Sequence, residues 1–107
     1  MASRSIQTMW KNEAHFRTSV LKWAKTIKIE PKQIQMRPMT RKWASCSGKG
    51  YLTFSKLLLN EKREFGEYVI VHELLHLKIP NHSKLFKSFM ITYMPDWKDR
   101  AKLESGN

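Results

Sequence analysis

A chain of 107 residues is the size of one domain, with room for a single modest core. Its 41% hydrophobic and 11% aromatic content, including four tryptophans, excludes a disordered chain, and no apolar run approaches the roughly 18 residues of a membrane span. The net charge of +11 is uneven, with 11 basic and 2 acidic side chains in residues 1–50 against 9 and 7 in residues 51–107, so the basic half is either a solvated surface or a face for nucleic acid, acidic protein or anionic lipid.

Residues 1–11 read as a flexible leader, without the apolar core of roughly 7–15 residues that marks a secretory signal. A single domain is expected over residues 12–107. From Asn12, a suitable N-cap, the apolar residues Phe16, Val20, Trp23, Ala24 and Ile27 fall on one stripe of an amphipathic helix. Pro31 ends that pattern, and "QIQMRPM" alternates Ile34 and Met36 with polar neighbours, as in a short strand closed by Pro38. "RKWASCSGKGYLTFS" predicts a hairpin, with strands Trp43–Cys46 and Tyr51–Ser55 around a Ser-Gly-Lys-Gly turn. Cys46 is the one cysteine, which excludes an intrachain disulfide and favours a reducing, cytoplasmic location.

A helix is expected from about Asn60, with Glu61 and Glu64 in its first turn, to about Lys78, where Pro80 stops it. Ser83 can cap another helix carrying Leu85, Phe86, Phe89, Met90 and Tyr93, which Pro95 breaks before a last short helix in "DWKDRAKLE". Helix, small antiparallel sheet, then helices describes an α+β domain.

The chemistry lies in "VIVHELLHLKIPNH", residues 69–82. His72-Glu73-Leu74-Leu75-His76 is the H-E-x-x-H pattern. On a helix, residues four apart stand one above the other, so both imidazoles reach one metal ion, and Glu73 beside them can act on a water as general base. Two histidines and a glutamate inside so apolar a helix cost several kcal/mol unless something pairs with them, and a divalent cation would. The alternative is two core histidines bonded to backbone carbonyls.

Catalytic zinc usually takes three protein ligands. His82 is the natural third, although on a continuous helix it would lie about 120° off the ligand face. The break at Pro80-Asn81 would let it swing back. Otherwise an acidic residue further on, Glu104, Asp96 or Asp99, completes the site. Cys46 near the metal could act as an inhibitory thiolate, though a lone cysteine beside Trp43 fits a small packed residue. Tyr93 and Trp97 fit either a substrate groove or the core, and Met90 and Met94 fit the core.

"WASCS" followed by "YVIVHELLHLKIPNHSKLFKSFMITYMPDW" resembles the YgjP-like metallopeptidases, zinc-dependent hydrolases related to SprT-like and WLM proteases. The resemblance runs from Asn12 to Glu104 and is most specific in His72–Leu77, in Asn81–Phe86 and at Met94-Pro95. It implies a zincin-like core, one zinc ion per chain held by His72, His76 and His82, Glu73 as catalytic base, and a peptide or protein substrate. It also implies a minimal core, without the N-terminal β-rich region of longer members. Ala44 stands where the family usually has glycine, and Ile79 occupies the glycine position of the metzincin pattern that shares this ligand spacing.

The expected function is therefore a zinc peptidase whose hairpin edge, residues 43–55, holds an extended peptide by strand addition. A nucleic-acid-associated module using the basic half, or a hydrolase of non-peptide substrates on the same ligands, are the rival readings.

Overall fold

The computed structural model describes residues 9–105 of the chain. Helix α1 spans Glu13–Ile27, and the Asn12 side chain accepts the His15 N–H at 2.8 Å, as a cap should. Lys28, in the left-handed conformation at φ 65°, closes it by donating its N–H to the last carbonyls. The predicted stripe is the buried face: Phe16, Val20, Ala24 and Ile27 are all in the core.

Three strands follow, β1 (Gln33–Arg37), β2 (Ala44–Cys46) and β3 (Tyr51–Ser55). The hairpin of β2 and β3 is antiparallel and turns through Gly50, whose φ of 92° suits glycine and whose N–H reaches the Ser47 carbonyl at 3.0 Å. The sheet as a whole is not the antiparallel one expected. Its order is β1-β3-β2, and β1 runs parallel to β3, with Ile34 opposite Leu52 and Met36 opposite Phe54. A hairpin leaves the far edge of its return strand open, and β1 fills that edge. The chain then crosses over to begin β2, and the Ser55 hydroxyl pins the crossing by donating to the Met39 carbonyl at 2.7 Å. Leu52 and Phe54 face inward, where Phe54 meets Phe16 of α1 at 5.2 Å between ring centres.

The next helix begins later than the sequence suggests. A 3₁₀ segment, Lys56–Asn60, is capped by Ser55 and carries Leu58 into the core, and only then does α2 run over Arg63–His76. Glu61 therefore precedes the helix. It is 93% buried, and its carboxylate accepts the backbone N–H of Ser105 at 2.9 Å together with the Ser105 hydroxyl. Glu64 alone keeps the expected place in the first turn of α2.

Helix α3 (Lys84–Tyr93) begins at the Ser83 cap, and α4 (Trp97–Ala101) follows Pro95. Helix α2 is the centre of the domain, in contact with α1, α3, α4 and β2. No helix among the described residues is long and apolar enough to cross a membrane.

Two residues that the sequence places in a flexible leader, Met9 and Trp10, join the fold. Residues 1–8 of that leader lie outside the described residues, but Met9 pairs with Lys62 in a β-bridge and Trp10 is 94% buried in the core. The reason lies in α2, where Gly66 has no side chain and the Trp10 indole fills the space a Cβ would take.

Candidate metal centre

Helix α2 carries His72 and His76 one turn apart, their ring centres 4.6 Å from each other. The helix stops at His76, because Pro80 cannot continue it and the N–H groups of Leu77 and Lys78 turn back onto carbonyls three residues earlier. That tight exit returns the chain over the helix end. The Nε2 atom of His82 then lies 3.0 Å from Nε2 of His72 and 3.0 Å from Nε2 of His76. Among the described residues these three histidines form the one group able to grip a single metal ion, with ligand atoms within 4.8 Å of one another.

The outer nitrogens decide what the inner ones can do. His76 Nδ1 is 3.2 Å from the Ile79 carbonyl, which only accepts, so Nδ1 carries the proton and Nε2 keeps its lone pair. His72 Nδ1 is 3.2 Å from Glu73 Oε2 and donates to it in the same way. Burial, and next the neighbouring His72, lower the pKa of His76, against the opposing pull of the Ile79 carbonyl. An uncharged imidazole with Nδ1 tied down and Nε2 turned toward two others is the donor chemistry of a zinc site. The residues fit the ion.

Beneath them lies Phe86 of α3, 97% buried, with its ring centre 4.6 Å from His76, 5.0 Å from His82 and 5.4 Å from His72. An apolar floor keeps water from one side of the cluster and fixes the rotamers of all three rings. The sequence shows Phe86 as an apolar residue of the Ser83-capped helix and the end of the Asn81–Phe86 run; its place under the histidines needs the return of the chain at Pro80. Tyr68, one turn before His72, was passed over. Its ring lies 5.7 Å from that of His72 and stacks on Trp97, and its position four residues ahead of the first histidine was the available signal.

Glu73 lies beside the cluster and has a second neighbour in Cys46 of β2, near enough for the carboxylate to raise the pKa of the thiol. Burial first, then Glu73, push the Cys46 thiol upward, so it is a neutral donor rather than a thiolate. The acidic alternatives to His82 are engaged elsewhere: Glu104 Oε2 accepts the Trp43 indole N–H at 2.7 Å, and Asp96 pairs with Arg100 at 3.0 Å. Asp99 lies in the first turn of α4, outside the cluster. Tyr93 stacks on Phe89 and lines a different cavity, with His15 and Trp23.

A cavity of about 360 Å³ opens against His72 and Glu73, walled by Trp43, Phe65 and Tyr68. A larger one, about 640 Å³, lies at the end of α1 among Leu21, Lys28 and Pro31, without a catalytic group. The smaller cavity is the one that meets the chemistry.

Solved structures that share this fold include two metallopeptidase zymogens. The metallopeptidase zymogen of Pyrococcus abyssi abylysin is 24% identical over 81% of this chain and 89% of its own, with a TM-score of 0.72. That of Methanocaldococcus jannaschii jannalysin is 27% identical over 79% and 82%, with a TM-score of 0.70. No curated protein matches the chain in sequence. The sequence model of one family, "YgjP-like, metallopeptidase domain", matches residues 3–104. With nearly its whole length matched in this way, the chain belongs to the YgjP-like metallopeptidase family and is a hydrolase.

Proposed function

We propose that the chain is a zinc peptidase with His72, His76 and His82 as ligands and Glu73 as general base. The observation that carries this reading is the convergence of three Nε2 atoms, two of them on imidazoles whose Nδ1 is committed to an acceptor. A zinc ion, when bound, supplies Lewis acidity that acidifies a water and polarises the scissile carbonyl. The rest falls to the chain's own side chains. The Glu73 carboxylate, steadied by the His72 ring N–H, takes a proton from the attacking water and passes it to the leaving amine. Tyr68 keeps its phenolic proton, because burial, Glu73 and Glu104 all raise its pKa, and so remains a hydrogen-bond donor at the cavity wall. Strand β2 is bonded to β3 on one side only among the described strands, and its other edge can take an extended substrate by strand addition.

Zinc content by elemental analysis and hydrolysis of a peptide panel test this together. We expect about one zinc per chain in the wild type and a large loss of it in His82→Ala. Glu73→Gln is expected to retain zinc while hydrolysis falls by roughly 10²–10⁴. Undiminished hydrolysis by zinc-loaded Glu73→Gln, or full zinc retention in His82→Ala, contradicts the assignment.

A further inference from the structure

The cavity beside His72 and Glu73 carries a chemical signature of its own. Its walls are aromatic: Trp43 meets Phe65 edge-on at 5.4 Å, and Tyr68 follows at 6.1 Å from Phe65. At the mouth of the cavity lies the exposed carboxylate of Glu104, which accepts the Trp43 indole N–H at 2.7 Å. One hydrogen bond leaves most of a carboxylate's acceptor capacity open. Tyr68, Glu73 and Glu104 all line this one cavity, so the phenol and two carboxylates border a common space.

We propose that this cavity is a specificity pocket for a long basic side chain of the peptide substrate, lysine or arginine, selected by Glu104. The inference rests on the peptidase reading for the substrate's being a peptide. The volume of about 360 Å³ accommodates such a side chain. Its methylene stem lies along aromatic rings whose faces attract a cation, and its charged head reaches the carboxylate. A purely apolar side chain would strip water from Glu104 and the Tyr68 hydroxyl without replacing it. An acidic one would meet two carboxylates of like charge.

Two features oppose a cation. Lys42 also lines the cavity and is exposed as Glu104 is, but no ion pair among the described residues joins the two. The net charge of +11 is screened beyond about 8 Å at physiological ionic strength, so the carboxylate within contact distance governs the choice.

The test uses zinc-incubated Glu73→Gln protein, which binds without turnover, and hexapeptides carrying lysine, norleucine or glutamate at each position in turn. At one position lysine is expected to bind about fivefold more tightly than norleucine, as an exposed charge pair would give. Glu104→Gln, which keeps an acceptor for the Trp43 indole, should erase that preference, and Glu104→Lys should transfer it to glutamate. Norleucine matching lysine at every position, or a lysine preference unchanged in Glu104→Gln, overturns the pocket. Cleavage of the same peptides by zinc-loaded wild type separates the two readings. Cleavage without a basic preference sinks the pocket and leaves the peptidase; lysine-selective binding with no peptide cleaved does the reverse; no binding of any peptide overturns the pocket outright.

Discussion

Cys46 shows how one residue's environment decides its chemistry. A lone cysteine next to a metal centre could be a thiolate that blocks the ion, or a small packed side chain. In the fold it is half-buried on β2 beside Glu73, and both burial and that carboxylate hold its pKa up, so the thiol keeps its proton. The thiolate is the nucleophile, so its reactivity should be low. Alkylation by iodoacetamide at pH 7.5 is expected to be at least about tenfold slower in the folded chain than in urea. Equal rates would show a thiol free of Glu73. His72 and His76 are the residues most readable from sequence, because residues four apart on a helix share a face, whereas His82 joins them only through the break at Pro80. Glu61 is the least readable. A carboxylate shortly before a helical pattern reads as a first-turn anion, and only the arrival of Ser105, 44 residues later, makes it a buried anchor.

At the scale of elements, the join between the N-terminal segment and α2 is the feature that local pattern conceals. A Cβ on Gly66 would lie 2.6 Å from the Trp10 indole nitrogen, closer than such contacts come. Gly66→Ala is therefore expected to destabilise the fold by about 1–3 kcal/mol, although alanine is the better helix former by about 1 kcal/mol. Trp10→Ala alone should lose about 3–5 kcal/mol. With Trp10 already removed, Gly66→Ala should become neutral or stabilising, and a double-mutant cycle in urea measures that change of sign. Simple additivity would mean that the indole does not occupy the notch. The same distinction explains which elements were legible. The amphipathic stripe of α1, the β2–β3 hairpin and the Ser83 cap rest on signals within a few residues. The parallel pairing of β1 and the seating of Trp10 depend on partners far along the chain, where no periodicity reaches. For the candidate site the division is similar. The ligand pattern sits within eleven residues, while the Phe86 floor, the Cys46–Glu73 contact and the Trp43–Glu104 wall come from packing α2 against α3, β2 and the C-terminal segment.

For the whole molecule, the proposed three-histidine site couples metal, protons and stability. Without the ion, the pKa of His76 is below its ordinary value, through burial and then His72. The unfolded chain then binds the proton first as pH falls. Its stabilising share is present above the unfolded pKa of about 6.5 and is lost as pH drops toward the lower folded value. In the proposed site zinc depends on the same neutral imidazoles, so protons compete with it directly. Binding at about a thousand times the dissociation constant stabilises a fold by about 4 kcal/mol, and each kcal/mol moves the Tm of a domain this size by about 4–8 °C. Zinc should therefore raise the Tm of metal-free protein by more than about 10 °C at pH 7.5, and by only a small part of that at pH 5.5. The net charge of +11 grows as histidines protonate, and the resulting repulsion lowers Tm at acid pH whatever the site does. His82→Ala separates the two effects. It keeps nearly the same charge and should retain the general acid destabilisation, but it should lose most of the zinc-dependent gain at both pH values. A zinc-induced rise in Tm of equal size at both pH values, or one that survives in His82→Ala, would mean that the ion is held by groups other than these three imidazoles.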